Sequence, residues 1–306
     1  MNIDDIKDIK IEYRDKLDIN PNTTIGIEIE FQKAFVNLIN MKLKRKVDTD
    51  WIAKYDATVS SCAMMVLYGG EINSPILRNN GKSWEELKTV CEILDKKNAQ
   101  ITEKCGGHIH IGEQILNHES YMEFIKLWYL YEPIIYRFCY GEFNRERKLM
   151  YTFASSLRNL FSTVITNEKY FESSIDLINY LSKERRQAVN FQNVLIDKKT
   201  IEFRCPNSSL NPVIWQNNVN FFAHLLDKSN NVEIDEDKLN YTLRYHTKNF
   251  RNCLDYIKIN MNEAIELANI IFDNEIDKLY FLRQYVKDGV CEKREINFTK
   301  AIRFTK

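Results

Sequence analysis

Three short segments, far apart in the chain, alternate bulky apolar residues with polar chemistry. They are Ile25-Gly26-Ile27-Glu28-Ile29-Glu30-Phe31, Gly107-His108-Ile109-His110-Ile111 and Thr200-Ile201-Glu202-Phe203-Arg204. Period-two alternation marks a strand with one covered face. Each segment must therefore lie in a sheet packed on its apolar side, while the other side carries carboxylates, imidazoles and a guanidinium. Side chains two apart on a strand sit roughly 6–7 Å apart on the same side, so a cation over that face can be shared by both. Three such strands predict a sheet whose concave face is an active site.

Glycine usage supports these segments. The chain has only nine glycines, and six of them (Gly26, Gly69, Gly70, Gly106, Gly107, Gly112) lie in or beside the alternating strands and one further Gly-Gly turn. Glycine permits close backbone approach, although a turn role explains Gly69-Gly70 equally well.

The bulk numbers exclude several function classes. Lys+Arg and Asp+Glu are equal at 43 each, which argues against a general grip on nucleic acid; a local basic patch stays open. No stretch is apolar enough to span a bilayer. The opening Met1-Asn2-Ile3-Asp4-Asp5 is acidic and does not read as a secretory signal. The seven cysteines (Cys62, Cys91, Cys105, Cys139, Cys205, Cys253, Cys291) are widely spaced, with no CxxC. That pattern predicts free thiols and a cytoplasmic protein, with neither a disulfide framework nor a zinc knuckle.

Along the chain, residues 1–23 read as a lead-in, helical or otherwise ordered, closed by Asn20-Pro21-Asn22. Asp56 to Ser74 reads as a hairpin. Ser83-Trp84-Glu85-Glu86 has the form of a capping box with Ser83 at the N-cap, and Leu87, Val90, Cys91 and Leu94 follow at helical spacing. A long helix is predicted from His118 to Cys139, kinked or broken at Pro133. Arg145 to Arg186 reads as helix and loop. Ala188 to Pro206 reads as a second hairpin, one strand running to Ile196 with a turn at Asp197-Lys198-Lys199. Beyond about 215 the chain turns helical, with Ala264, Ile265, Ala268 and Ile271 as a buried face. At 306 residues, one compact α+β domain with a helical C-terminal extension is the simplest organisation.

Glu28 and Glu30 on one strand face repel each other unless a cation is near, and Mg2+ or Mn2+ favours carboxylate oxygen. Asp56 and Glu71 could complete a carboxylate cage. His108 and His110, two of five histidines, could bind metal through both rings; a thiolate ligand at Cys105 is disfavoured, because no partner cysteine is nearby. Arg204 offers a bidentate fork for phosphate or carboxylate, and Arg158, Arg185, Arg186 and Asn190 could add donors for a nucleotide. The bland alternatives are a solvated strand for Glu28 and Glu30, a satisfied histidine for either ring, and a cross-strand ion pair for Glu202 and Arg204. No G-x-x-x-x-G-K-[ST], G-x-G-x-x-G or G-x-S-x-G occurs, so metals and arginines on a sheet must hold ATP if it binds.

In order, Gly26-Ile-Glu28-Ile-Glu30, Asp56-Ala-Thr58, Glu71-Ile-Asn-Ser74-Pro75-Ile-Leu77, Cys105-Gly-Gly-His108-Ile-His110, Arg186 with Asn190, and Thr200-Ile-Glu202-Phe-Arg204 resemble the amidoligase family, carboxylate–amine ligases with a glutamine-synthetase-like fold. Thr58 stands where that family often has Ser. The resemblance covers about residues 24 to 212. It implies a mostly antiparallel curved sheet with helices on its outer face and a catalytic core over 24–215; the region after it carries no signature of the family, and its residue pattern alone reads as a helical extension over 216–306 packed on the core. The resemblance further implies ATP, divalent cations, and carboxylate and amine substrates of amino-acid or peptide type, with room for a homo-oligomer. By resemblance, Glu28, Glu30, Glu71 and Glu202 would be metal ligands, with Asp56 and one histidine, His108 before His110, in or beside that shell. Arg204 would contact phosphate, with Arg186 as a weaker nucleotide candidate. The catalytic group would be Glu28, Glu71 and Arg204. A non-catalytic nucleotide or peptide binder of the same fold is the runner-up. A cupin-like oxygenase, suggested by His-x-His with Glu113, lacks a second histidine motif.

Overall fold

The computed structural model describes residues 3–59, 68–112, 116–246 and 259–287. After a short helix α1 (Ile3–Lys7) come β1 (Thr24–Phe35), α2 (Val36–Lys46), β2 (Ile52–Tyr55), β3 (Tyr68–Asn73), β4 (Leu77–Arg78), α3 (Gly81–Lys96) and β5 (Gly107–Gly112). Then follow α4 (His118–Cys139), α5 (Met150–Phe153), α6 (Arg158–Thr166), α7 (Ser174–Leu181), β6 (Val189–Asn190) and β7 (Thr200–Phe203). The chain continues through α8 (Pro212–Lys228), α9 (Glu236–His246), α10 (Met261–Ile271) and α11 (Glu275–Val286). The strands form one sheet in the order β2-β3-β1-β5-β7-β6, with β4 beside β1. Every strand pair in it is antiparallel, so the fold mixes helices with an antiparallel sheet.

Alternation sorts the sheet into two faces. Ile25, Ile27, Ile29 and Phe31 of β1, Ile72 of β3, Ile109 and Ile111 of β5 and Ile201 and Phe203 of β7 are buried in one core. Each such side chain contributes roughly 1.5–3 kcal/mol. Helices α4 and α8 cover this face. Phe203 stacks on Phe222 with ring centroids 3.9 Å apart and on Trp128 at 6.2 Å. At Gly107 a Cβ would collide with the Trp215 ring, so α8 lies closer to β5 than any side chain there would allow. Helix α8 runs unbroken across residue 215 and is buried on all sides, the behaviour of a core helix. Leu87, Val90, Cys91 and Leu94 of α3 and Ala264, Ala268 and Ile271 of α10 are buried, as their spacing predicts, while Ile265 is half-buried against the same core.

Three local expectations need correction. Helix α3 begins at Gly81, and its N-cap is Asn80, whose side chain accepts from the Ser83 amide. Glu86 is no capping partner: it is buried and accepts from the Thr49 hydroxyl and the Trp51 indole. Pro133 does not end α4. Proline deprives the carbonyl four residues earlier of its helical donor; that carbonyl belongs to Tyr129, and Arg158 reaches it at 3.5 Å while lying over the Tyr129 ring. The strand expected to run to Ile196 stops at Asn190. Its side chain accepts from the Gln192 amide, and that local turn leads into a 3-10 segment, Gln192–Leu195.

Just past α4, burial pushes the Glu142 carboxyl up to about 7. One oxygen accepts from Ser209 Oγ at 2.7 Å, and the other has no hydrogen-bond partner among the described residues. The folded state thus holds this proton more tightly than the unfolded chain does. The resulting stability is complete below the ordinary value of 4.5 and is lost as pH rises through about 7. Urea unfolding should show the wild type losing roughly 3 kcal/mol from this group across that window, and Glu142→Gln should lose that much less. Equal pH slopes for the two proteins would refute the assignment.

Candidate active site

Strand register assembles three polar rows across the opposite face of the sheet. In the first, Glu30 of β1 faces Glu71 of β3, which faces Lys54 of β2. In the second, Glu28 lies between Asn73 of β3 and His108 of β5. In the third, Gly26 faces His110, which faces Glu202 of β7, which in turn faces Asn190 of β6. Directly opposed residues share a face, with Cβ atoms about 4.5–5.5 Å apart. Gly26 has a further role: a Cβ there would come within 3.1 Å of His110 Cβ, so the ring lies across the glycine.

Glu28 is the hub. Its Oε2 lies 2.7 Å from His108 Nδ1 and its Oε1 lies 3.1 Å from His110 Nε2. His108 also stands 3.8 Å from Glu30 and 3.7 Å from Glu202. Burial alone would raise the Glu28 carboxyl, but hydrogen bonds from both histidines, then their charges, hold it well below the usual carboxylate range. Burial would lower His108, yet the bond to Glu28 outweighs it and the ring is raised. The raised ring offsets part of the carboxylate charge, and a cation bound at its nitrogen would displace that proton. Glu202 is likewise lowered: burial opposes ionisation, and the His108 and Arg204 charges overcome it. Glu71 moves the other way, raised by burial and by the charge of Glu28.

Supporting bonds fix these groups. Asn73 Nδ2 donates to Glu71 at 2.6 Å and Asn190 Nδ2 donates to Glu202 at 2.8 Å. Arg204 Nη1 pairs with the second Glu202 oxygen, and its Nε donates to the Phe153 carbonyl at 3.1 Å. The Gly106 amide donates to the Glu30 carboxylate. Behind it, buried Arg147 donates to the carbonyls of Pro206 and Arg204, packed so close to Gly106 that a Cβ would meet its guanidinium.

The donor set suits hard divalent cations. Glu30, Asp56 and Glu71 form one group of ligand atoms within 4.8 Å of one another; Glu28, Glu71 and His108 form a second, and Glu28, His110 and Glu202 a third. Glu28 and Glu71 each belong to two groups, as bridging carboxylates would. Asn73 Oδ1, beside Glu71, is buried without a hydrogen-bond partner among the described residues, which leaves a further oxygen free to face a cation.

All seven residues expected as metal ligands therefore converge: Glu28, Glu30, Asp56, Glu71, His108, His110 and Glu202. Arg204 joins them through Glu202. Asn190 reaches the site too, but its amide is committed to Glu202. Arg186 lies over the Phe153 ring at 5.4 Å, on the residue whose carbonyl anchors Arg204. Arg158 is not brought there: it is spent on Tyr129 and lines a cavity of about 880 Å3 between α4, α9 and α10. Cys105 is buried and its thiol is pushed up to about 12 by burial, so it stays protonated. Glu113 lies outside the described residues. Sequence reasoning passed over Asn73, Gly106 and Arg147 as site residues. The Glu71-Ile72-Asn73 alternation could have revealed Asn73; Arg147 carries no local signal.

A mixed helix and antiparallel-sheet fold that gathers acids and histidines on one sheet face defines a candidate divalent-cation centre. A family model described as "Putative amidoligase enzyme" matches residues 40–226. The chain belongs to this amidoligase family. The match begins within α2, after the whole of β1, so Glu28 and Glu30 lie outside it and enter the site through the pairing of β1 with β3 and β5. No curated protein matches the chain. Among solved structures, a bifunctional glutathione synthetase from Pasteurella multocida is similar at a TM-score of 0.47 and 10% identity, covering 87% of this chain and 47% of that one. This chain thus spans about half that protein's length. Among the described residues no helix is long and apolar enough to cross a membrane.

Proposed function

We propose that the chain is an ATP-dependent carboxylate–amine ligase that works through an acyl phosphate on a glutamine-synthetase-like core, residues 24–215, with the helical segment after it packed on that core. The observation that carries this reading is the run of three overlapping cation-capable groups along one sheet face, joined by Glu28 and Glu71. Family membership supports the amide-forming outcome.

A carboxylate is a poor acyl donor because its leaving group is oxide. Transfer of the γ-phosphoryl group of ATP to the carboxylate replaces oxide by phosphate, which an amine can displace. Mg2+ or Mn2+ held by the carboxylates would neutralise charge on the transferring group. The residues of the chain do the rest. Glu28, Glu30, Glu71 and Glu202, with Asp56 and His108 or His110, would hold the cations. Arg204, oriented by Glu202 and the Phe153 carbonyl, turns its guanidinium to phosphate oxygens. Asn190, opposite Glu202, and Arg186, over the Phe153 ring, would be the nearest further donors.

Purified protein with Mg2+ and ATP should release ADP and phosphate only when a carboxylate and an amine are both supplied, in equal amount with the amide formed. ATP binding without ADP release across a broad panel of such pairs would favour the non-catalytic binder instead.

A further inference from the structure

Lys54 was not among the residues that the sequence pointed to, yet register places it in the row of Glu71 and Glu30. Strand β2 alternates around buried Ala53, so exposed Ile52 and Lys54 share the site face. This edge strand is held in place: the Asn40 side chain of α2 donates to the Ala53 carbonyl and accepts from the Ala53 amide, both at 2.8 Å, as a neighbouring strand would. Edge backbone is thus closed to a further strand, while the two side chains are presented from a fixed frame. Asp56, two residues on, belongs to the cation-capable group with Glu30 and Glu71. Among the described residues the Lys54 ammonium makes no hydrogen bond or ion pair. Arg204, by contrast, is already committed to Glu202. Four inter-strand steps separate β2 from β7, or about 19 Å, leaving room between the two cations for a chain of phosphates.

We propose that Lys54 is a ligand-binding residue of this site, an ammonium that closes on the phosphate oxygens of a metal-bound polyphosphate from the β2 edge, opposite Arg204. The inference rests on the ATP reading and deepens it. A compact ammonium on a flexible stem suits such a role, because its three donors can follow a moving oxygen. Ile52 beside it offers an apolar wall and no competing charge.

The test is calorimetric binding of two probes in Mg2+, a non-hydrolysable ATP analogue and inorganic tripolyphosphate. Lys54→Ala should weaken both by about tenfold or more, the scale of one charge-assisted hydrogen bond, and Lys54→Arg should restore most of the loss. Mn2+ affinity without nucleotide should not fall in Lys54→Ala. Lys82→Ala, which removes an exposed lysine paired with Asp48, controls for overall charge and should bind as the wild type does. If wild type and Lys54→Ala bind both probes equally, or if Lys82→Ala loses as much, the role of Lys54 is overturned while the ATP reading stands. A wild type that binds neither probe overturns both.

Discussion

Glu28→Gln should lower amide formation by on the order of 10²–10³-fold, the scale of losing one preorganised charge in an active site. Glu28, like Glu71, is shared by two of the three cation-capable groups, and it alone bonds both histidines. The amide keeps the shape but removes one anionic oxygen, so both positions are weakened together. Mn2+ titration should show the same variant binding metal more weakly. The fold should survive, because the β1 core residues on either side, Ile27 and Ile29, are untouched and buried. Turnover and Mn2+ affinity at wild-type levels would sink the metal assignment.

The second large effect belongs to Arg204. Arg204 is 7% exposed, and its guanidinium neutralises Glu202, which is 3% exposed. Removing one partner of a buried ion pair strands the other charge, at a cost of about 3–5 kcal/mol. Arg204→Met should therefore lower the unfolding free energy by that amount in urea and abolish activity. Arg204→Lys should recover little, since an ammonium cannot reach the Glu202 carboxylate and the Phe153 carbonyl with the same planar fork. The double variant Arg204→Met, Glu202→Gln should recover part of the stability but none of the activity. Strict additivity of the two stability losses would mean that the pair does not act as a unit.

Where local rules failed, a distant group had supplied what the local pattern lacked. Ser83 and Glu86 have the spacing of a capping box, but Asn80 lies three residues earlier in extended backbone and takes the capping bond, while Thr49 and Trp51 claim Glu86. Pro133 should disrupt α4, and Arg158 satisfies the carbonyl it orphans. That engagement also explains why Arg158, a plausible nucleotide donor by type, sits in the helical layer. Asn190 looked like a ligand for nucleotide because of its chemistry; twelve residues away, Glu202 had first claim on its amide.

The sequence by itself determined which side chains share a face. Side-chain direction along a strand follows from backbone geometry alone, so Glu28 with Glu30, His108 with His110, and Glu202 opposite Phe203 were legible from alternation. Only the tertiary structure decided which strand lies beside which and in what register. Those pairings depend on how Ile109, Phe203, Trp215 and Phe222 fill one core, a property of residues far apart in the chain. Through that packing Glu28 came to face His108, Glu30 to face Glu71 and Glu71 to face Lys54, and three separate alternating strands became one site.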